Sequence, residues 1–213
     1  MFAVEMTASP PAPHPETEIP MTHRTLLAAI ASCALALPAF ASLKAGDTAP
    51  PFEAQASFAG AASPYSLKQA LAKGPVVVYF YPSAYTSGCN VQAHAFAVNH
   101  DKFAAAGASI IGVSLDSISR LNDFSKDPEY CNSKFPVASD ADGHIAKSYD
   151  LSVKDGRAGL KDTRGVDIDH GFAERTTFIV TPDGRVAATI GGMSPEANVD
   201  KALQAVQSLK GGM

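Results

Sequence analysis

The run Pro75-Val76-Val77-Val78-Tyr79-Phe80-Tyr81 is short, β-branched and aromatic, and reads as a buried strand. Turn residues follow it from Pro82, and Cys89-Asn90-Val91-Gln92-Ala93-His94-Ala95-Phe96 then reads as the start of a helix. Cys89 therefore falls at a strand-to-helix junction, in or near the first helical turn. Unpaired backbone N–H groups and the positive end of the helix dipole favour anions there. A thiol so placed tends toward thiolate, the nucleophilic form. Thr86 precedes Cys89 by about one helical turn, which lets its hydroxyl face the same pocket. Taken singly these residues have plainer readings: a packed thiol, an N-cap and a strand stop. Their joint spacing behind a buried strand favours chemistry.

The rest of the chain alternates strand and helix signals. Ser66–Gly74 reads as a short helix closed by glycine, and the Cys89 helix runs to about Ala106. A strand spans Ile110–Leu115, a helix spans Ser119 to about Tyr130 with Pro128 weakening it, and Val137 opens a short strand. A brief helix covers 144–150. Phe178–Val180 and Val186–Ile190 form a hairpin about Thr181-Pro182-Asp183-Gly184, and Asn198–Leu209 is a closing amphipathic helix. This order predicts an α/β fold, a mixed central sheet with helices on both faces.

Composition excludes several functions. A formal charge of −4 with no basic cluster argues against nucleic acid, and there is no GxGxxG, P-loop or CxxC pair. Asp140-Ala141-Asp142-Gly143 lacks the later ligands of a calcium loop and reads as a turn, and His94, His100, His144 and His170 show no tight metal-ligand spacing except the i, i+6 pair His94 and His100. No metal or cofactor is expected. Hydrophobic content of 46% with 18% charged residues suits one globular domain.

That domain is expected over 42–213, after an N-terminal extension and signal peptide over 1–41. Residues 1–20 are rich in Pro, Thr and Glu with no apolar period. From Met21, a start in its own right, come His23-Arg24, an apolar run from Leu26 to Phe40, and Ala39-Phe40-Ala41, which fits a cleavage site. The run is too short and proline-broken to anchor the chain stably in a membrane. Ile30-Ala31-Ser32-Cys33 loosely matches a lipoprotein box, but apolar sequence continues past Cys33 where a polar tether belongs. A periplasmic or secreted product beginning at Ser42 is expected. Cleavage there removes three Glu and one Arg, moving the formal charge from −4 to −2. Cys89 and Cys131 remain, an even pair that suggests a disulfide in an exported protein.

Pro82-x-x-x-Thr86-x-x-Cys89 behind its strand resembles the active site of the peroxiredoxins, and Thr86–Ala93 is most similar to the Q type, the bacterioferritin comigratory protein group. Three later segments resemble the same family: Ala108–Asp116, Phe135-Pro136-Val137-Ala138-Ser139-Asp140, and Arg175-Thr176-Thr177-Phe178 through Gly184. The likeness runs from about Leu43 to the last helix. It implies a thioredoxin-like fold and a thiol-dependent peroxidase acting on hydrogen peroxide and organic hydroperoxides. Cys89 would be the peroxidatic nucleophile, Thr86 would bind peroxide and thiolate, and Pro82 would shield the sulfur. Arg175 would stabilise the thiolate and the charge developing on the leaving oxygen. A thioredoxin-like or other dithiol reductant would recycle the enzyme, as monomer or homodimer.

Two positions and one stretch depart from that pattern. His94 stands where many Q-type members carry a second cysteine, and Asn90 follows the nucleophile where threonine is common. Some Q-type relatives place a resolving cysteine near the end of the third helix, which implies that role for Cys131. A one-cysteine cycle with an outside thiol is the alternative. The stretch Lys154–Gly165 looks longer than the usual connection, and loops of that length tend to be functional or mobile. From another class comes a non-enzymatic redox sensor or holdase using the same thiol.

Overall fold

The computed structural model describes residues 42–211. The expected N-terminal extension and signal peptide over 1–41, with Cys33, lie outside the described residues. The elements are β1 (Glu53–Phe58), β2 (Ala61–Ser66), α1 (Leu67–Leu71), β3 (Val76–Phe80), α2 (Ser87–Ala105), β4 (Ser109–Ser114), α3 (Ile118–Lys126), β5 (Val137–Ser139), α4 (His144–Ser148), β6 (Val153–Lys154), β7 (Phe172–Ala173), β8 (Thr176–Val180), β9 (Val186–Gly191) and α5 (Pro195–Gly211).

A seven-stranded sheet runs in the order β2-β1-β5-β4-β3-β8-β9. β3 pairs in parallel with β4 and β4 with β5, while β8 and β9 on one side and β1 and β2 on the other are antiparallel. The β3 side chains alternate, as the strand period requires. Val77 and Tyr79 face a core half that also holds Phe96 and Phe103 of α2, Phe124 of α3 and Val199 of α5. Val76, Val78 and Phe80 face the other half, with Leu67 of α1, Ile145 of α4 and Phe178 of β8. Helices thus cover both faces of a mixed sheet, as expected.

Differences from the sequence reading have local causes. The β1–β2 hairpin carries no β-branched residue, so its propensity is silent. Its two-residue turn is Ala59-Gly60, with φ of 50° and 86°, the left-handed pair that suits a tight hairpin. Pro64 is tolerated because β2 is an edge strand. The third helix is shorter than expected and ends at Lys126. Asp127 takes extended dihedrals ahead of Pro128, which disfavours a helical conformation in the residue before it. Cys131 consequently lies in the irregular turns after α3, not at a helix end. The Asp140 carboxylate accepts from the N–H groups of Ile145 and Ala146 at 2.9 and 2.8 Å, so this acidic turn serves α4.

Gly112 in β4 makes room for Tyr79: a Cβ there would fall 2.7 Å from the Tyr79 hydroxyl oxygen and ring. Tyr79 is itself fully enclosed and cannot retreat. Gly112→Ala should therefore lower the unfolding free energy by about 1–3 kcal/mol, the range for overpacking a core. Urea denaturation measures it, and a loss within about 0.5 kcal/mol of zero, as at an ordinary surface position, would refute the tight fit.

Candidate active site

The sharp strand-to-helix connection places Cys89 at the third residue of α2, with its N–H bonded to the Thr86 carbonyl at 2.9 Å. Only 2% of the residue is exposed. Thr86 occupies the N-cap position with extended dihedrals, but its hydroxyl makes no capping bond. It donates instead to the Ser83 carbonyl at 2.8 Å. With its proton so committed, the oxygen keeps its lone pairs free to accept from an O–H group. Pro82 and Arg175 line one cavity of about 390 Å³.

Arg175 enters from the residue before β8. Its Nη2 donates to Cys89 Sγ at 3.3 Å, and its Nη1 donates to Gln92 Oε1. Gln92 lies one helical turn beyond Cys89 on the buried face. Its Nε2 donates to Asn198 Oδ1 at 3.0 Å, which also accepts from the Thr177 hydroxyl at 2.6 Å. Asn198 Nδ2 donates to the Ile190 carbonyl at 2.9 Å. The guanidinium is thereby fixed from behind by α5 and the β8–β9 pair. Gly88 clears its path, since a Cβ there would sit 3.2 Å from Nη2. Sequence reasoning missed Gln92 and Asn198. The available signal was a polar residue on the inward face of each helix, at helical spacing from Cys89 and beside Val199.

The turn before Cys89 hangs on one buried carboxylate. Asp116 Oδ2 accepts from the Ala84 N–H at 2.8 Å and the Ser114 hydroxyl at 2.7 Å, and Oδ1 accepts from the Ser83 hydroxyl at 2.9 Å. Arg120 Nε stands 2.9 Å from Oδ1 as an ion contact, while its Nη2 donates to the Ala84 carbonyl at 3.0 Å. His170 Nε2 lies 2.9 Å from the same Oδ1, and its Nδ1 lies 2.7 Å from the Gly171 carbonyl oxygen. Both ring nitrogens thus face acceptors, a pattern that only the doubly protonated ring satisfies. Burial alone would lower the His170 pKa, but the Asp116 hydrogen bond and charge and the Gly171 carbonyl outweigh it and raise it. Burial likewise works against the Asp116 charge, and the His170 bond leads the contacts that hold its pKa below the usual value.

Cys131 is fully buried in the same half of the core as Cys89, and both are free thiols. Burial, and secondarily the Asp127 carboxylate, pushes the Cys131 thiol well up. His94, in the position of the family's second cysteine, contacts the Glu129 carbonyl through Nδ1 at 2.8 Å and so braces the segment leading to Cys131. The structure therefore brings Cys89, Arg175, Thr86 and Pro82 to one strand-to-helix corner and holds Cys131 enclosed in the core.

The sequence profile of the AhpC/TSA family matches residues 45–189. The chain belongs to that family. A putative peroxiredoxin of Mycobacterium tuberculosis, MT1643, is 32% identical over 171 residues, 80% of this chain and all of that protein. The chloroplastic peroxiredoxin Q of Sedum lineare is 31% identical over 172 residues, covering 80% of this chain and 82% of its own. Among solved structures, peroxidoxin BcpB of Mycobacterium tuberculosis is similar with a TM-score of 0.65 and 32% identity, over 78% of this chain and 98% of that one. The thioredoxin-like fold and the Q-type likeness both hold, and family membership makes this peroxiredoxin a thiol-dependent peroxidase.

The His170 geometry has a pH signature. A histidine whose folded pKa is raised contributes stability fully present below its unfolded value, about 6.5, and lost as the pH rises through the folded value. His170→Asn should be less stable than wild type about one unit below that unfolded value, and the gap should close at alkaline pH. Urea unfolding across that range measures it. A gap independent of pH would mean that the ring acts through packing alone.

Proposed function

We propose that this peroxiredoxin is an exported peroxidase that reduces hydrogen peroxide and organic hydroperoxides at Cys89, and that Cys131 closes its cycle through an internal disulfide opened by a thioredoxin-like dithiol. The observation that carries the reading is the Arg175 Nη2 donor 3.3 Å from Cys89 Sγ at the start of α2. Attack of sulfur on the terminal peroxide oxygen breaks the O–O bond and spreads negative charge over sulfur and the leaving oxygen. A guanidinium already fixed by Gln92 stabilises that charge without reorganising, which is the dominant kind of term in such sites. The Thr86 oxygen, with its own proton given to Ser83, is suited to accept from the peroxide O–H. Sulfur leaves the step as a sulfenic acid, and the alkoxide takes a proton to become the alcohol, or water when the substrate is hydrogen peroxide. Export rests on His23-Arg24, the apolar run and Ala39-Phe40-Ala41, and the disulfide rests on the likeness to Q-type relatives.

Cys89→Ser should abolish peroxide consumption while leaving the fold intact. Arg175→Met should lower kcat/KM by about tenfold to a thousandfold, the range for losing one fixed donor. Steady-state peroxide assays with thioredoxin or dithiothreitol check both, and wild-type kinetics in either variant would sink the assignment. Consumption that stops after one equivalent despite excess dithiol would favour the sensor reading. The secreted protein should begin at Ser42 by N-terminal sequencing, whereas a lipid-modified Cys33 at the terminus would replace secretion with anchoring.

A further inference from the structure

The long connection between β6 and β7 has a built structure. Leu160–Ile168 folds back on itself: the Ile168 N–H donates to the Leu160 carbonyl and the Asp162 N–H to the Val166 carbonyl, each at 2.8 Å. Asp162 is buried, and its carboxylate accepts from the N–H groups of Arg164 and Val166 at 2.8 and 3.0 Å. At the tip, the Thr163 N–H and hydroxyl both donate to the Tyr85 carbonyl, at 2.9 and 2.8 Å. Asn90 Nδ2, next to the nucleophile, donates to the Thr163 hydroxyl oxygen at 3.4 Å. The Arg164 guanidinium lies 3.3 Å from the centroid of the Tyr85 ring. Arg120 joins the two parts from below, with Nη2 bonded to the Ala84 carbonyl at 3.0 Å and to Asp162 at 2.8 Å. These contacts converge on Ala84-Tyr85, the turn that must move if α2 is to unwind at its start.

We propose that this folded connection is a clasp on the peroxidatic loop, and that Thr163 and Arg164 are positioning residues that govern how readily oxidised Cys89 leaves its pocket for Cys131. The inference rests on the disulfide reading above. Once Cys89 is a sulfenic acid, two fates compete. The Cys131 thiol can attack the Cys89 sulfur, forming the S–S bond while its proton joins the departing hydroxyl and water leaves. Alternatively, a second hydroperoxide oxidises the sulfenic acid to sulfinic acid and is itself reduced to the alcohol, or to water. With Cys131 fully enclosed, the first fate requires local opening, and its rate follows the open population. Each contact from the clasp shifts that population toward the closed loop and so favours the second fate.

Thr163 and Arg164 are exposed, so their variants alter the clasp without opening the core. Thr163→Val removes the hydroxyl donor, and Arg164→Met removes the cation over the ring together with its bonds inside the clasp to Asp162 Oδ2 at 3.1 and 3.0 Å. Each should speed disulfide formation about threefold, and both together about tenfold, as expected for one hydrogen bond and one exposed cation–π contact. Reduced full-length protein is mixed with one equivalent of hydrogen peroxide, quenched with acid and read by intact mass. The peroxide dose giving half sulfinic acid should rise by the same factors, the first oxidation of Cys89 should stay within about twofold of wild type, and Thr163→Ser should behave as wild type. Amide hydrogen exchange over residues 83–90 of the reduced variants should quicken in parallel. Faster exchange with Cys131 still a free thiol after peroxide would leave the clasp standing and remove the disulfide reading. Unchanged exchange over 83–90, or a disulfide rate and sulfinic dose unchanged in the double variant despite a Cys89–Cys131 bond, would overturn the clasp.

Discussion

The pairing of Arg175 with a nearly inaccessible sulfur is the constraint around which the rest of this molecule is arranged. A sulfur that must carry negative charge away from water needs fixed donors, and a cation brought in to supply them needs its own fixed acceptors. The chain meets both needs with polar groups that have little other purpose. Gln92 accepts from the guanidinium, Asn198 accepts from Gln92, and Thr177 and Ile190 hold Asn198. Four elements, α2, β8, β9 and α5, therefore agree on one position for one side chain. The absent Cβ of Gly88 belongs to the same agreement, since it leaves the path to the sulfur open.

A second buried centre of charge does for the loop what Arg175 does for the sulfur. Asp116 ends up inside because β4 carries it there, and it is satisfied by Ser83, Ala84, Ser114 and His170 together. Such a carboxylate is tolerable only with all its partners in place, so it ties the geometry of Pro82–Thr86 to α3 and to the residues before β7. Cys89 is thus positioned by two polar systems, one behind the guanidinium and one beneath the turn, joined by the first turns of α2.

How much of this was legible in the sequence depended on whether the information was local. The β3 strand and the α2 start were readable because Val76–Phe80 and the turn residues announce themselves within a few positions. The β1–β2 hairpin was not, because alanine and serine state no preference and the strands form only by pairing with each other and with β5. Cys89 stands out by its place at the strand-to-helix junction and Arg175 through motif likeness, and the structure brings them into contact. Gln92 and Asn198 look like ordinary polar helix residues until the fold buries them. The role of the 160–168 segment was out of reach for a plainer reason: Thr163 meets Tyr85 across 78 positions, and nothing near either residue hints at the other. The end of α3 was misjudged although Pro128 was in view, because the proline acts on the residue before it and stops the helix sooner.

Tyr85 itself adopts a φ of 61°, the left-handed region that bulky residues avoid at a cost of about 1–3 kcal/mol. Its ring is held by edge contacts to Phe124 and Tyr130 with centroids 5.0 and 5.7 Å away, and by Arg164 above it. One residue therefore carries two opposed tendencies, a backbone that relaxes when the helix start lets go and a ring that loses its packing at the same moment. The strain of the turn and the contacts that offset it therefore meet at one residue. A change at Phe124, Tyr130 or Arg164 then reaches the left-handed backbone ahead of α2 through that ring, although none of the three lies in the turn itself.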